Sequence, residues 1–156
     1  ELLSDCARQL ATTGLDVYEE SDILPRLWQK LVINAGINPF TAILDCPNGD
    51  ILDAELFVGC IDELCQEIAA LMAAENLALQ TPQALRERIE TVACATARNT
   101  SSMRADVQNR RRTEIDFING YLVRLGQHLG IATPVNQLLT ERVQQLSNHQ
   151  QEHPHG

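Results

Sequence analysis

Trp28-Gln29-Lys30-Leu31-Val32-Ile33-Asn34-Ala35-Gly36-Ile37-Asn38-Pro39 carries two kinds of residue at one period. Trp28, Leu31, Val32 and Ala35, continuing Leu24 and Leu27, recur at helical spacing and predict a buried apolar stripe. Lys30, Asn34 and Asn38 are four apart. Each step of four turns the side-chain direction by only about 40°, so all three leave the opposite side of the same helix. Ser21 or Asp22 can cap that helix, with Pro25 in its first turn. Pro39 has no N–H and disfavours helical geometry at Asn38, which predicts a break or kink there. A short apolar piece, Phe40 to Leu44, follows, and Cys46-Pro47-Asn48-Gly49-Asp50 reads as a turn.

The rest of the chain repeats the helical period. Leu2, Leu3, Cys6, Leu10 and Ala11 suggest a first helix stopped by Gly14, and Leu15 to Glu20 could be extended. A long helix is expected from about Asp53 to Asn76. Its apolar face is Leu56, Cys60, Leu64, Ile68 and Leu71, widened by Ile61 and Met72. Thr81-Pro82 supplies a cap and a first-turn proline for a helix to about Ala97. Asn99 to Ser102 is a polar break before a short helix ending near Arg110. Thr113 to Leu129 reads as one helix stopped by Gly130, and Thr133-Pro134 starts the last one, to about Ser147. With no heptad or internal repeat, the class is all-α, a compact bundle of roughly six to eight helices. Residues 1–148 are expected to form one helical domain and 149–156 a polar, frayed tail.

Composition narrows the function. At 44% apolar the chain can bury a core, and at 4% aromatic that core rests on aliphatic residues. The net charge of −9, with Arg110-Arg111-Arg112 the sole basic run, argues against nucleic acid. No apolar run reaches the ~20 residues of a membrane span, and Glu1-Leu2-Leu3-Ser4-Asp5-Cys6 has no signal-peptide character. The missing initiator Met suits a chain cut from something longer. Five cysteines without a CxxC pair are expected to be reduced thiols in a cytoplasmic protein, most of them small core residues. GxGxxG, the P-loop motif, GxSxG and HExxH are all absent. His149, His153 and His155 sit in the tail, where no metal site is expected.

A Lys-Asn-Asn stripe offers one positive charge and several amide donors and acceptors, suited to a small anion bearing a carbonyl and hydroxyls. An ordinary solvent-facing side remains the alternative, although asparagine is a poor helix former. Lys30 is the one lysine among twelve basic residues. A guanidinium stays protonated at any working pH, whereas an ammonium can be tuned to donate. Further along, Ser102 at a helix start can, with nearby N–H groups, hold an anion, and plain helix capping by Ser101 or Ser102 is the alternative. Glu114 reads as a first-turn carboxylate.

Four runs together form a recognisable pattern: W-x-K-L-x-x-N-x-x-x-N-P-x-T-A-I from Trp28, C-P-N-G from Cys46, N-x-S-S-M-x-x-D from Asn99 and T-E-I-D-x-I-N-G from Thr113. Their order and separations, over about Leu15 to Pro134, resemble the ketopantoate reductase (2-dehydropantoate 2-reductase) family. The resemblance implies the helical C-terminal domain of an oxidoreductase, of the 6-phosphogluconate dehydrogenase C-terminal-domain type. It implies a partner N-terminal Rossmann domain, absent from this chain, that binds NADPH. The implied reaction reduces ketopantoate to pantoate in pantothenate biosynthesis. By the same resemblance Lys30 is the proton donor, Asn34, Asn38, Asn48 and Ser102 bind substrate, and Glu114 belongs to the active site beside the cofactor. Another 2-keto acid as substrate, or a non-catalytic helical association module, are the alternatives. The long helix could serve a homodimer contact or intramolecular packing equally.

Overall fold

The computed structural model describes residues 17–77 and 80–152. Six α-helices are present among them: α1 Val17–Leu44, α2 Glu55–Ala74, α3 Pro82–Ala95, α4 Ser102–Gln108, α5 Asn119–Leu129 and α6 Pro134–Glu152. Short 3₁₀ helices occupy Asn48–Asp53 and Ile115–Phe117. No strand occurs among the described residues, so the expected all-α class holds. The helix expected before Gly14 lies outside them, as do His153 and His155.

Helix α1 is the axle of the fold, with α2, α3, α4 and α6 packed on it. It departs from expectation in three ways. It is already helical at Val17, the first described residue, so Ser21 and Asp22 lie inside it rather than capping it, and Pro25 is well past the first turn. Leu24 and Leu27, expected in the buried stripe, are 53% and 45% exposed; the core begins at Trp28. The predicted break at Pro39 does not occur, and the helix runs on to Leu44. Proline at 39 deprives the Ala35 carbonyl of its helical donor. The side-chain amide of Asn119, on α5, fills that gap: Nδ2 donates to the Ala35 oxygen at 3.3 Å.

Asn119 does not act alone. Its Nδ2 also donates to Asn136 Oδ1 (3.0 Å), and Asn136 Nδ2 donates to Glu67 Oε1 (2.9 Å). The Glu67 carboxylate further accepts the backbone N–H groups of Val135 (2.8 Å) and Asn136 (3.1 Å). An acidic side chain from α2 thus satisfies orphan donors at the start of α6, where a helix end favours negative charge. The relay is buried and spans α1, α2, α5 and α6.

Around it the aliphatic core closes. On α2 the buried face is Phe57, Ile61, Leu64, Cys65, Ile68, Leu71 and Met72, with Leu56 and Cys60 only half-buried. Phe57 meets Phe40 edge-on at 5.1 Å between ring centroids. Of the described cysteines, only Cys65 is in the core; Cys46 and Cys60 are half-buried and Cys94 is exposed, all as free thiols.

The other boundaries follow local chemistry. Thr81 Oγ1 accepts the Ala84 N–H (3.0 Å) ahead of Pro82, as the cap signal predicts. Gly130, at φ 74°, ends α5 in the left-handed conformation that glycine favours. The helix expected from Thr113 to Leu129 is instead divided: Ile118, at φ −110° and ψ −94°, separates the 3₁₀ turn from α5. Helix α6 continues past Ser147 to Glu152, through the first part of the expected tail. No helix among the described residues is long and apolar enough to cross a membrane.

Candidate functional site

Lys30, Asn34 and Asn38 leave α1 in order of increasing burial: Lys30 is exposed, Asn34 half-buried and Asn38 buried. The stripe therefore runs from the surface into the domain. At its inner end Thr41 Oγ1 donates to the Asn38 carbonyl (2.8 Å) and lies 2.6 Å from Ser101 Oγ. Ser101 caps α4 by accepting the Arg104 N–H at 3.0 Å. The Thr41 proton is committed to Asn38, so the Ser101 hydroxyl must donate to Thr41. That chain of bonds ties the Asn38 turn to the start of α4. Ser102, next in sequence, is exposed and is the first helical residue rather than the cap.

Asn48 reaches the same region from the other side. Helix α1 ends at Leu44 with Asp45 in left-handed geometry (φ 51°), and the Cys46 N–H returns to the Thr41 carbonyl (3.2 Å). Arg104 Nε (3.0 Å) and Gln108 Nε2 (3.2 Å), both on α4, donate to Asp45 Oδ1. These bonds hold its carboxyl below the usual 3.8, with Arg104 the larger influence. The chain then crosses to the loop after α3: Asn48 N–H donates to the Asn99 carbonyl and Gly49 N–H to the Ala97 carbonyl, each at 3.0 Å. Gly49 permits this approach, since a Cβ there would stand 2.5 Å from Ala97 Cβ.

The Asn48 side chain is buried and half-used. Nδ2 donates to Thr96 Oγ1 (2.9 Å), whose own proton goes to the Val92 carbonyl (2.7 Å). Thr96 can only accept there, which fixes the amide orientation. Oδ1 is left buried without a partner. Such orphan acceptors are rare because each costs about 1–3 kcal/mol; among the described residues Asn119 Oδ1 is the other.

Glu114 and Lys30 stand apart from these bonds. Glu114 is exposed, and it precedes the 3₁₀ turn, its carbonyl accepting the Phe117 N–H (2.9 Å). It is therefore not the first-turn residue of a long helix that the spacing suggested. Among the described residues no hydrogen bond or ion pair joins Glu114 to Lys30. The structure thus brings Asn38, Asn48 and the approach to Ser102 together through bonded neighbours. It places Lys30 at the outer end of their stripe.

Sequence reasoning passed over Thr41, Thr96, Glu67, Asn119 and Asn136. Glu67 had a signal, being an acidic residue set between Leu64 and Ile68 on an apolar face. Asn119 lies inside the T-E-I-D-x-I-N-G run without having been singled out.

Residues 22–147 match the family described as ketopantoate reductase PanE/ApbA C terminal. The chain belongs to the ketopantoate reductase family. The 2-dehydropantoate 2-reductase of Vibrio cholerae is 46% identical over 125 residues, 80% of this chain and 42% of that protein. That of Pyrobaculum aerophilum is 42% identical over 137 residues, 88% and 48% of the two chains. Among solved structures, the ketopantoate reductase of Ralstonia eutropha JMP134 superposes with TM-score 0.73 at 32% identity over 80% of this chain and 41% of its own. D-mandelate dehydrogenase, solved with NADH and anilino(oxo)acetate, gives 0.75 at 28% identity over 82% and 42%. This ketopantoate reductase family chain therefore spans less than half the length of the relatives it matches.

Proposed function

We propose that this chain is the substrate-binding and proton-donating half of an NADPH-dependent 2-dehydropantoate 2-reductase, completed by an N-terminal nucleotide-binding domain. The observation that carries the reading is the unpartnered, buried Oδ1 of Asn48. It sits in the C-P-N-G turn, bonded to the loop that leads to Ser102. A hydroxyl of the substrate is the donor that would satisfy it. Asn34 and Asn38 offer neutral amides for carbonyl and carboxylate oxygens, and Ser102 has an exposed hydroxyl.

The nicotinamide supplies the hydride when bound. Glu114 is exposed and Phe117, beside it, is 74% exposed, so that surface is open to a cofactor brought by a second domain. Reduction of a ketone leaves an alkoxide that must take a proton. The Lys30 ammonium, at the open end of the stripe, can stabilise the developing charge and deliver that proton. Glu114 can orient either Lys30 or a substrate hydroxyl.

The likeness to D-mandelate dehydrogenase favours a second reading, reduction of a bulkier 2-keto acid. The test is NADPH oxidation by the full-length protein, with ketopantoate and with phenylglyoxylate. The proposal expects ketopantoate to have the higher kcat/KM, and a preference for the aryl acid supports the second reading. Lys30→Ala is expected to lower turnover by about 10²–10⁴, the span of a general acid. Lys30→Arg should not restore it, and a loss below tenfold removes Lys30 from the role. The 156-residue chain by itself is expected to oxidise no NADPH; turnover by the pure chain contradicts the division of labour.

A further inference from the structure

We propose that Asn119 is a positioning residue for substrate binding, because its amide replaces from α5 the backbone hydrogen bond that Pro39 withholds from Ala35. The inference rests on the function proposed above, in which Asn38 holds substrate.

The geometry leaves little freedom. Ala35 and Asn119 are both fully buried, so bulk solvent does not reach the orphan carbonyl. The partners of Asn119 Nδ2, the Ala35 oxygen at 3.3 Å and Asn136 Oδ1 at 3.0 Å, are both acceptors. A flipped amide would set oxygen against oxygen twice. Asn136 is oriented in turn by Glu67, to which its Nδ2 donates. The chosen orientation leaves Asn119 Oδ1 buried without a partner. That cost is accepted so that both N–H groups point at Ala35 and Asn136.

Ala35 lies between Asn34 and Asn38, and Pro39 follows Asn38 directly. The turn that Asn119 completes is therefore the turn that presents both asparagines. An open 35–39 step lets the helix bend at proline and rotates Asn38 away from Thr41, to which its carbonyl is bonded, and through Thr41 from Ser101.

The test uses the full-length protein and three variants: Asn119→Leu, Pro39→Ala and the pair. Pro39→Ala returns a backbone N–H to position 39 and makes the Asn119 donor redundant at Ala35. Asn119→Leu is expected to raise KM for the 2-keto acid about tenfold, the worth of one buried hydrogen bond. KM for NADPH should stay within about twofold. In the Pro39→Ala background the same substitution should change the keto-acid KM by less than about threefold. Urea denaturation should show the matching loss of stability for Asn119→Leu, and its partial recovery in the pair. If Asn119→Leu does not fold, the pair is expected to fold. A pair no better than Asn119→Leu overturns the proposal. So does a single variant in which both KM values rise together. Denaturation needs no substrate, so a wild-type protein that reduces no 2-keto acid counts against the proposed function while the coupling of residues 39 and 119 is still decided.

Discussion

The hydroxyl oxygens of Thr41 and Ser101, sixty residues apart in sequence, lie 2.6 Å from each other in the buried seam between α1 and α4. One proton runs from Ser101 to Thr41 and the next from Thr41 to the Asn38 carbonyl. The cap of α4 and the inner end of the polar stripe are thereby one unit.

Thr41→Val keeps the shape and removes both bonds, stranding the Ser101 hydroxyl. It is expected to cost about 1–3 kcal/mol. Ser101→Ala should cost a similar amount, including about 1 kcal/mol for the lost cap. The two are in contact, so the double variant should lose less than their sum by roughly 0.5 kcal/mol or more. Urea denaturation of all three measures the difference, and strict additivity would show that the hydroxyls act independently.

Gly49→Ala should strain the crossing that carries Asn48. Its Cβ would lie 2.5 Å from Ala97 Cβ and 2.9 Å from Ala97 Cα, a backbone atom that cannot swing aside. Overpacking of this kind costs about 1–3 kcal/mol. The two backbone bonds from Asn48 and Gly49 must lengthen, so keto-acid KM in the full-length protein should rise with the loss of stability. An unchanged KM would mean that Asn48 does not depend on this crossing.

Glu67→Gln replaces one accepting oxygen by an amide that cannot accept. At least one of the N–H groups of Val135 and Asn136 and the Asn136 side chain loses its partner. A cost of about 1.5–3 kcal/mol is expected, the range for hydrogen bonds to charged groups. Glu67→Leu should cost more, because it also uncovers the start of α6. Thermal denaturation of the two variants ranks them, and the reverse order would assign the stabilisation to packing alone.

Asp45 makes the acid limb of stability sensitive to a single surface pair. Arg104 and Gln108 lower its carboxyl in the folded state, so the folded protein binds its proton less readily than the unfolded chain does. The contribution is present above the ordinary value of 3.8 and is lost as pH falls below it. The Asp45 side chain is 69% exposed, so the effect is small and screened by salt. Asp45→Asn tolerates the left-handed backbone and should flatten the pH dependence below about pH 4. A slope unchanged in this variant would place the acid sensitivity elsewhere.

The helical class and the ends governed by local chemistry were legible in the sequence. Thr81-Pro82 and Gly130 act on their own neighbours, and Lys30, Asn34 and Asn38 share a face by geometry alone. What was not legible depends on distant atoms. Pro39 predicts a break unless a donor reaches Ala35, and that donor is 84 positions away. Ile118 interrupts a helical pattern with no glycine or proline to announce it. The exposure of Leu24 and Leu27 reflects where the core begins, which periodicity does not specify. Asn48 could be named by resemblance, but its buried, unpaired oxygen exists only once Thr96 has taken the other half of the amide.

Lys30 has a practical consequence. It is the chain's one lysine, and it stands exposed at the mouth of the stripe. An amine-directed reagent used on this domain therefore has one side-chain target, placed where the proposed substrate enters. Modification at that position, followed by mass, becomes a direct gauge of occupancy, read without turnover and without a substitution.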